Sequence, residues 1–124
     1  MLRTQMLVKN YEFERVFRRG RFYSSRVLTL YVRPRQDRDL RLGITVAKQV
    51  KGSVKRNRVK RWLREVYRLT EGNLQPGYDL IMFARLKPEE TSYQEILKAW
   101  TRLIKKAKID LSQVDGNLVQ DSGA

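Results

Sequence analysis

Apolar positions change period several times along this chain, and each change marks an element. Over residues 10–20, Phe13, Val16 and Phe17 fall on one face of a helix. Asn10 suits the N-cap, because its side-chain oxygen can accept an orphan N–H of the first turn. Glu12 and Glu14 lie early and Arg18 and Arg19 late, as the helix dipole prefers, and Gly20 suits a left-handed C-terminal position. From residue 21 to 33 the period becomes two. Phe22, Leu28, Leu30 and Val32 share one side of a strand region, and Tyr23, Thr29, Tyr31 and Arg33 share the other.

A polar turn led by Pro34 follows, and then alternation resumes. Leu40, Leu42, Ile44 and Val46 face one way, Arg41, Gly43, Thr45 and Ala47 the other. The two alternating stretches predict a hairpin or meander with one greasy face and one face of rings, hydroxyls, small residues and Arg. A basic loop leads into a helix over 53–70, which the Gly72, Pro76 and Gly77 cluster breaks. Residues 78–85 are apolar on both faces, as a central buried strand should be. A long helix closes the pattern, with Ser92 and Glu95 as a capping box and Ile96, Leu97, Trp100, Leu103, Ile104 and Ala107 as its buried stripe. The order read this way is α-β-β-α-β-α, with the first strand region open to a split in two. It predicts an α+β sandwich of helices packed on a sheet.

At 124 residues the chain is long enough for one domain and too short for two typical ones. Residues 1–111 are read as that domain and 112–124 as a polar, disordered tail. Lys plus Arg number 27 and Asp plus Glu 13, a net charge of +14, which points to a polyanionic partner rather than to any fold. Cys and His are both absent. That excludes disulfides, Cys/His zinc sites and Ser-His or Cys-His nucleophiles, and leaves no catalytic residue to nominate. The first ten residues lack the apolar core of a secretory signal, and no stretch approaches the ~20 apolar residues of a membrane span. The expectation is a soluble cytoplasmic protein.

The densest charge lies between Lys55 and Arg68, where seven Lys or Arg and one acid are threaded with apolar residues. On a helix these separate into two arcs. Val59, Trp62, Leu63, Val66 and Tyr67 form the core arc; Arg56, Asn57, Lys60, Arg61, Arg64 and Arg68 form the cationic one. Such a face can simply be solvated. Solvated faces, however, mix signs, since like charges at i,i+4 destabilise a helix. Arg56, Lys60, Arg64 and Arg68 stand at successive four-residue steps with only Glu65 to relieve them. A polyanion would offset that repulsion, and Arg suits phosphate and base planes better than Lys. No turn-helix pair precedes this helix, so RNA fits at least as well as DNA. Tyr23 and Tyr31 on the neighbouring sheet read either as a stacking platform for single strands or as strand packing. Phe13 and Phe17 read on pattern alone as core.

The run Lys55-Arg56-Asn57-Arg58-Val59-Lys60-Arg61, followed by Leu63-Arg64-Glu65 and Arg68, resembles the arginine-rich RNR signature of the bacterial ribonuclease P protein subunit. Gly43 to Lys48 is similar to the strand and lysine that precede that signature, and Phe13 to Phe17 with Gly20 to the family's first helix. The resemblance covers roughly residues 7–108. It implies the order α-β-β-β-α-β-α, a ribosomal-protein-like two-layer α/β sandwich with a left-handed crossover, against the usual rule.

It also implies a protein that is not itself a catalyst. Such a protein pairs with a catalytic RNA that removes the 5′ leader of precursor tRNA, using Mg²⁺ held by the RNA rather than by protein side chains. By position, Arg56, Asn57, Arg58, Lys60, Arg61, Arg64 and Arg68 match catalytic-RNA contacts. Phe13, Phe17 and Tyr31 match aromatics of the leader cleft, and Lys48 matches a basic residue at its edge. This leaves Phe13 and Phe17 open between core and leader contact. Lys51-Gly52-Ser53 departs from the family's Gly-Ala pattern, so the turn there is expected one residue later. No membrane and no obligate protein partner are expected. The rivals are a plain RNA-binding protein, a stand-alone nuclease using Asp37, Asp39 and Asp79 with a metal, and a membrane-surface protein built on the basic helix.

Overall fold

The computed structural model describes residues 3–111, so the tail assigned to 112–124 lies outside the described residues. Its elements are β1 (Thr4–Met6), α1 (Asn10–Arg19), β2 (Arg21–Ser24), β3 (Leu28–Pro34), β4 (Leu40–Val46), α2 (Ser53–Thr70), β5 (Tyr78–Ala84) and α3 (Tyr93–Lys106). The α-β-β-β-α-β-α order stands, preceded by the three-residue β1. That strand is too short and too polar to be read from its pattern, and it pairs in parallel with β4.

The five strands form one sheet in the order β1-β4-β5-β3-β2. The expected pairing of the two alternating stretches does not occur. β5 lies between β3 and β4, antiparallel to the first and parallel to the second. The reason is in its composition: Leu80, Ile81, Met82 and Ala84 are buried on both faces, and such a strand belongs at the centre of the sheet. The 35–39 turn therefore crosses the start of β5. Arg35 N–H donates to Gly77 O at 2.8 Å and Gly77 N–H to Asp39 O at 2.9 Å. Gly77 has φ +92°, a conformation only glycine adopts without strain.

α2 and α3 pack together on one face of the sheet, α2 over β4 and α3 over β3. Here lies the main core, built from Leu28, Leu30, Leu42, Val59, Leu63, Val66, Tyr67, Leu80, Met82, Ile96, Trp100 and Leu103 among others. α1 covers part of the opposite face, where Leu7, Val16 and Ile81 form a second, smaller cluster with Phe13, Tyr31 and Phe83 packed against it. Fully burying a side chain of this size contributes about 1.5–3 kcal/mol, so the α2–α3 side carries most of the stability.

Three local expectations are corrected. The N-cap of α1 is Lys9, not Asn10; Glu12 caps the turn by accepting the Lys9 and Val8 N–H groups at 2.9 and 3.1 Å. Gly20 is extended, at φ −82°, rather than left-handed. It is required by close approach, since a Cβ there would sit 2.6 Å from Val16 O and 2.8 Å from Val32 O. Phe22 and Tyr23 exchange faces. The strand region breaks into a hairpin in which Phe22 pairs with Tyr31 and Tyr23 with Leu30, so the chain reversal inverts the even–odd alternation. Tyr23 packs on the main core, and Phe22 joins the aromatic side. At the last helix Ser92 Oγ accepts the Glu95 N–H at 3.2 Å as expected, while the Glu95 carboxylate accepts from Arg26 at 3.0 Å.

Candidate nucleic-acid interface

α2 presents the cationic arc its spacing predicts. Val59, Leu63, Val66 and Tyr67 are buried, while Asn57, Arg58, Arg61, Arg64 and Arg68 are exposed and Lys60 is half-exposed. Gly52, at φ +92°, makes the turn into the helix. No acid stands in the first turn, so its N-terminal N–H groups and dipole add to the positive field. Arg68 is bound to Glu65 at 2.6 and 3.0 Å, and Lys55 lies 3.6 Å from Glu89. Arg56 differs from its neighbours. Its guanidinium donates to Val46 O, Ala47 O and Val50 O at 2.9–3.1 Å, which ties the start of α2 to the end of β4 and the loop after it. Three of its five donors are used by the fold, so it positions the helix that carries the others.

Phe13, Phe17 and Tyr31 gather on the opposite face. Phe17 meets Tyr31 edge-on at 4.7 Å between ring centres, and Phe83 at 6.5 Å; Phe13 lies 6.5 Å from Phe17. Phe22, 65% exposed, continues the row 5.9 Å from Tyr31. Between α1 and β4 runs a groove lined by Asn10, Phe13, Glu14, Phe17, Ile44 and Thr45. Phe13 can lie there because Gly43 has no side chain; a Cβ would sit 2.5 Å from its ring. Phe13 and Tyr31 are half-buried and Phe17 is 38% exposed, so each ring supports the small cluster and still offers a surface. Lys48 is exposed two residues past the end of β4, outside the groove lining. Phe22 and Phe83 were not nominated from sequence. Phe83 sits in a run that read only as core, and the hairpin reversal hid the face of Phe22.

A buried ion network fixes α1 over the sheet. Asp79 on β5 is wholly buried. It accepts from Arg41 Nε and Nη2 at 2.9 and 3.2 Å, from Arg35 Nη1 at 3.0 Å and from Arg33 Nη1 at 3.2 Å. Arg41 also donates to Glu12 at 2.7 Å, which links the network to α1. Burial acts to raise the Asp79 pKa, but the bonds and charges of Arg41 and Arg35 outweigh it and hold the carboxyl below its ordinary value. Glu12 is held down first by the Lys9 and Val8 N–H groups. Asp37 is lowered to about 2, chiefly by its two bonds to Arg35.

The acids proposed for a stand-alone nuclease are thus placed otherwise. Asp79 is enclosed by three guanidiniums, and Asp37 is engaged by Arg35. Among the described residues no three His, Cys, Asp or Glu side chains converge as a metal site. Nor is any described helix long and apolar enough to cross a membrane. The core arc of α2 is buried against the sheet and α3, which leaves little of it for lipid.

The molecule is thus an α+β protein with a basic helix on one face of a small sheet and an aromatic groove on the other. The family described as Ribonuclease P matches residues 1–108. A ribonuclease P protein component from Natranaerobius thermophilus is 47% identical over 103 residues, covering 83% of this chain and 90% of the relative. One from Shouchella clausii is 38% identical over 98% of this chain and all of the relative. The solved RNase P protein of Staphylococcus aureus superposes with a TM-score of 0.76 at 26% identity, over 85% of this chain and 96% of that one. The chain belongs to the ribonuclease P protein family.

Proposed function

We propose that this chain is the protein subunit of ribonuclease P, acting in 5′ processing of tRNA. It binds the catalytic RNA through α2 and the 5′ leader of precursor tRNA through the aromatic groove, and so promotes endonucleolytic removal of the leader. Asn57, Arg58, Lys60, Arg61 and Arg64 contact the catalytic RNA, with Arg68 at the flank and Arg56 holding the helix in place. Phe13, Phe17 and Tyr31 contact the leader, and Lys48 adds a cation near its path. The cleavage chemistry and its Mg²⁺ belong to the RNA. The working compartment is the cytoplasm, where precursor tRNA is made.

The observation that carries this reading is the placement of two unlike surfaces on opposite faces of one sheet. A single-purpose RNA binder needs the basic helix and has no use for an open row of rings. With both, the protein neutralises phosphates of the catalytic RNA by a salt-dependent attraction. It also offers the leader contacts that mature tRNA lacks. The positive field reduces repulsion between two RNAs, so less divalent cation is required. The test is to incubate precursor tRNA with the same organism's catalytic RNA at low Mg²⁺, with and without the protein. Leader cleavage that depends on the protein supports the reading. Binding of both RNAs with no gain in cleavage at any modest salt overturns it, and leaves general RNA binding.

A further inference from the structure

A second groove, on the α2–α3 face, shares arginines with the basic helix, but its aromatic wall has no role in the function proposed above. It is lined by Arg61, Trp62, Arg64, Glu65 and Arg68 of α2 and by Tyr93 at the start of α3, and encloses roughly 510 Å³. That lies within the range of about 300–1,000 Å³ typical of small-ligand sites. Trp62 and Tyr93 are half-buried, packed inward against the main core. Core filling along α2 is carried by Val59, Leu63, Val66 and Tyr67, each fully buried, so the outer part of Trp62 is not consumed by packing.

Charge in the groove is net positive. Its single acid, Glu65, is closed off by the two bonds from Arg68, which also hold its pKa below the usual value. Arg61 and Arg64 are exposed and have no ion pair among the described residues. Aromatic surface set among unpaired guanidiniums is the pattern that stacks bases and grips phosphates of unpaired strands.

We propose that this groove holds one unpaired nucleotide of the catalytic RNA, its base against Trp62 and Tyr93 and its phosphates on Arg61 and Arg64. The nucleotide must be unpaired, since a base inside a duplex has no free face to offer. It belongs to the catalytic RNA rather than the leader, because α1 and the aromatic row lie on the other side of the sheet. This inference rests on the ribonuclease P reading and adds to it a stacking subsite beside the basic helix.

The chain carries its own reporter. Of its two tryptophans, Trp100 is fully buried, with its indole N–H on Thr70 Oγ1 at 2.8 Å, so emission changes on binding report Trp62. Catalytic RNA alone is titrated into the full chain, with tryptophan emission and affinity followed for wild type, Trp62→Leu and Trp62→Tyr. Wild-type emission is expected to quench on binding. Trp62→Leu is expected to bind about tenfold more weakly, while Trp62→Tyr keeps most of the affinity. The salt slope should be unchanged in both, because no charge is removed. Thermal melts of the free variants separate lost stacking from lost folding. If Trp62→Leu does not fold, the wild-type emission decides: no quench on bound RNA overturns the subsite. An unaltered Trp62→Leu affinity overturns it as well, leaving the ribonuclease P reading intact. Failure of the wild type to bind catalytic RNA would overturn both.

Discussion

Asp79 shows how one residue can set the geometry of a site it does not line. It is buried, neutralised by arginines from β3, β4 and the 35–39 turn, and joined through Arg41 to Glu12 on α1. Removing the carboxylate leaves those guanidiniums without their partner, so Asp79→Asn should lower stability by about 3 kcal/mol in a thermal or denaturant melt. The sign of the pH dependence follows from the direction of the shifts. Asp79, Glu12 and Asp37 all have folded pKa values below their unfolded ones. Their contribution is complete above the unfolded value of about 4 and is lost as pH falls from there through the folded values. Wild-type stability should be flat at neutral pH and decline below about pH 4, and Asp79→Asn should show a shallower acid limb. Gly43→Ala addresses the groove directly. Its Cβ would displace the Phe13 ring, so the variant should fold, discriminate precursor from mature tRNA less well, and bind catalytic RNA as wild type does. The strand alternation placed Gly43 on the correct face. It could not say that Phe13 fills the space, or that a reversal after Ser24 turns Phe22 outward.

At the scale of elements, α2 was the most legible part of the chain, because helical period and charge both write themselves into neighbouring residues. Even there the sequence could not separate Arg56 from Arg58, Arg61 and Arg64. What distinguishes it is three carbonyls at the end of β4 and in the loop after it, a contact that no spacing within the helix encodes. Replacing both Arg58 and Arg61 by Ala should weaken catalytic-RNA binding, and should reduce the slope of log affinity against log salt by about 0.7–0.9 per cation removed. Arg56→Ala should instead lower the melting temperature as well as the affinity. Strand pairing was less legible. Alternation suggested that β3 and β4 were neighbours, but nothing local states that a later strand enters between them. Only the two-sided apolar character of residues 78–85 hinted that β5 belongs at the centre.

The whole molecule is a sheet with two jobs on two sides. One side carries the main core, the basic helix and the α2–α3 groove; the other carries α1 and the aromatic row. Under the function proposed above, this separation is what would let one small, strongly positive domain hold a structured RNA and a single strand together. The central claim is that the aromatic face reads the leader. It is tested most directly by measuring the affinity of the assembled protein–RNA complex for precursor tRNAs whose leaders are lengthened one nucleotide at a time from zero, with wild-type protein and with Phe17→Ala. The account predicts that wild-type affinity rises over the first several leader nucleotides and then levels off. The Phe17→Ala curve should stay lower by about fivefold or more, and the two should meet for mature tRNA. Curves that coincide at every leader length would contradict it.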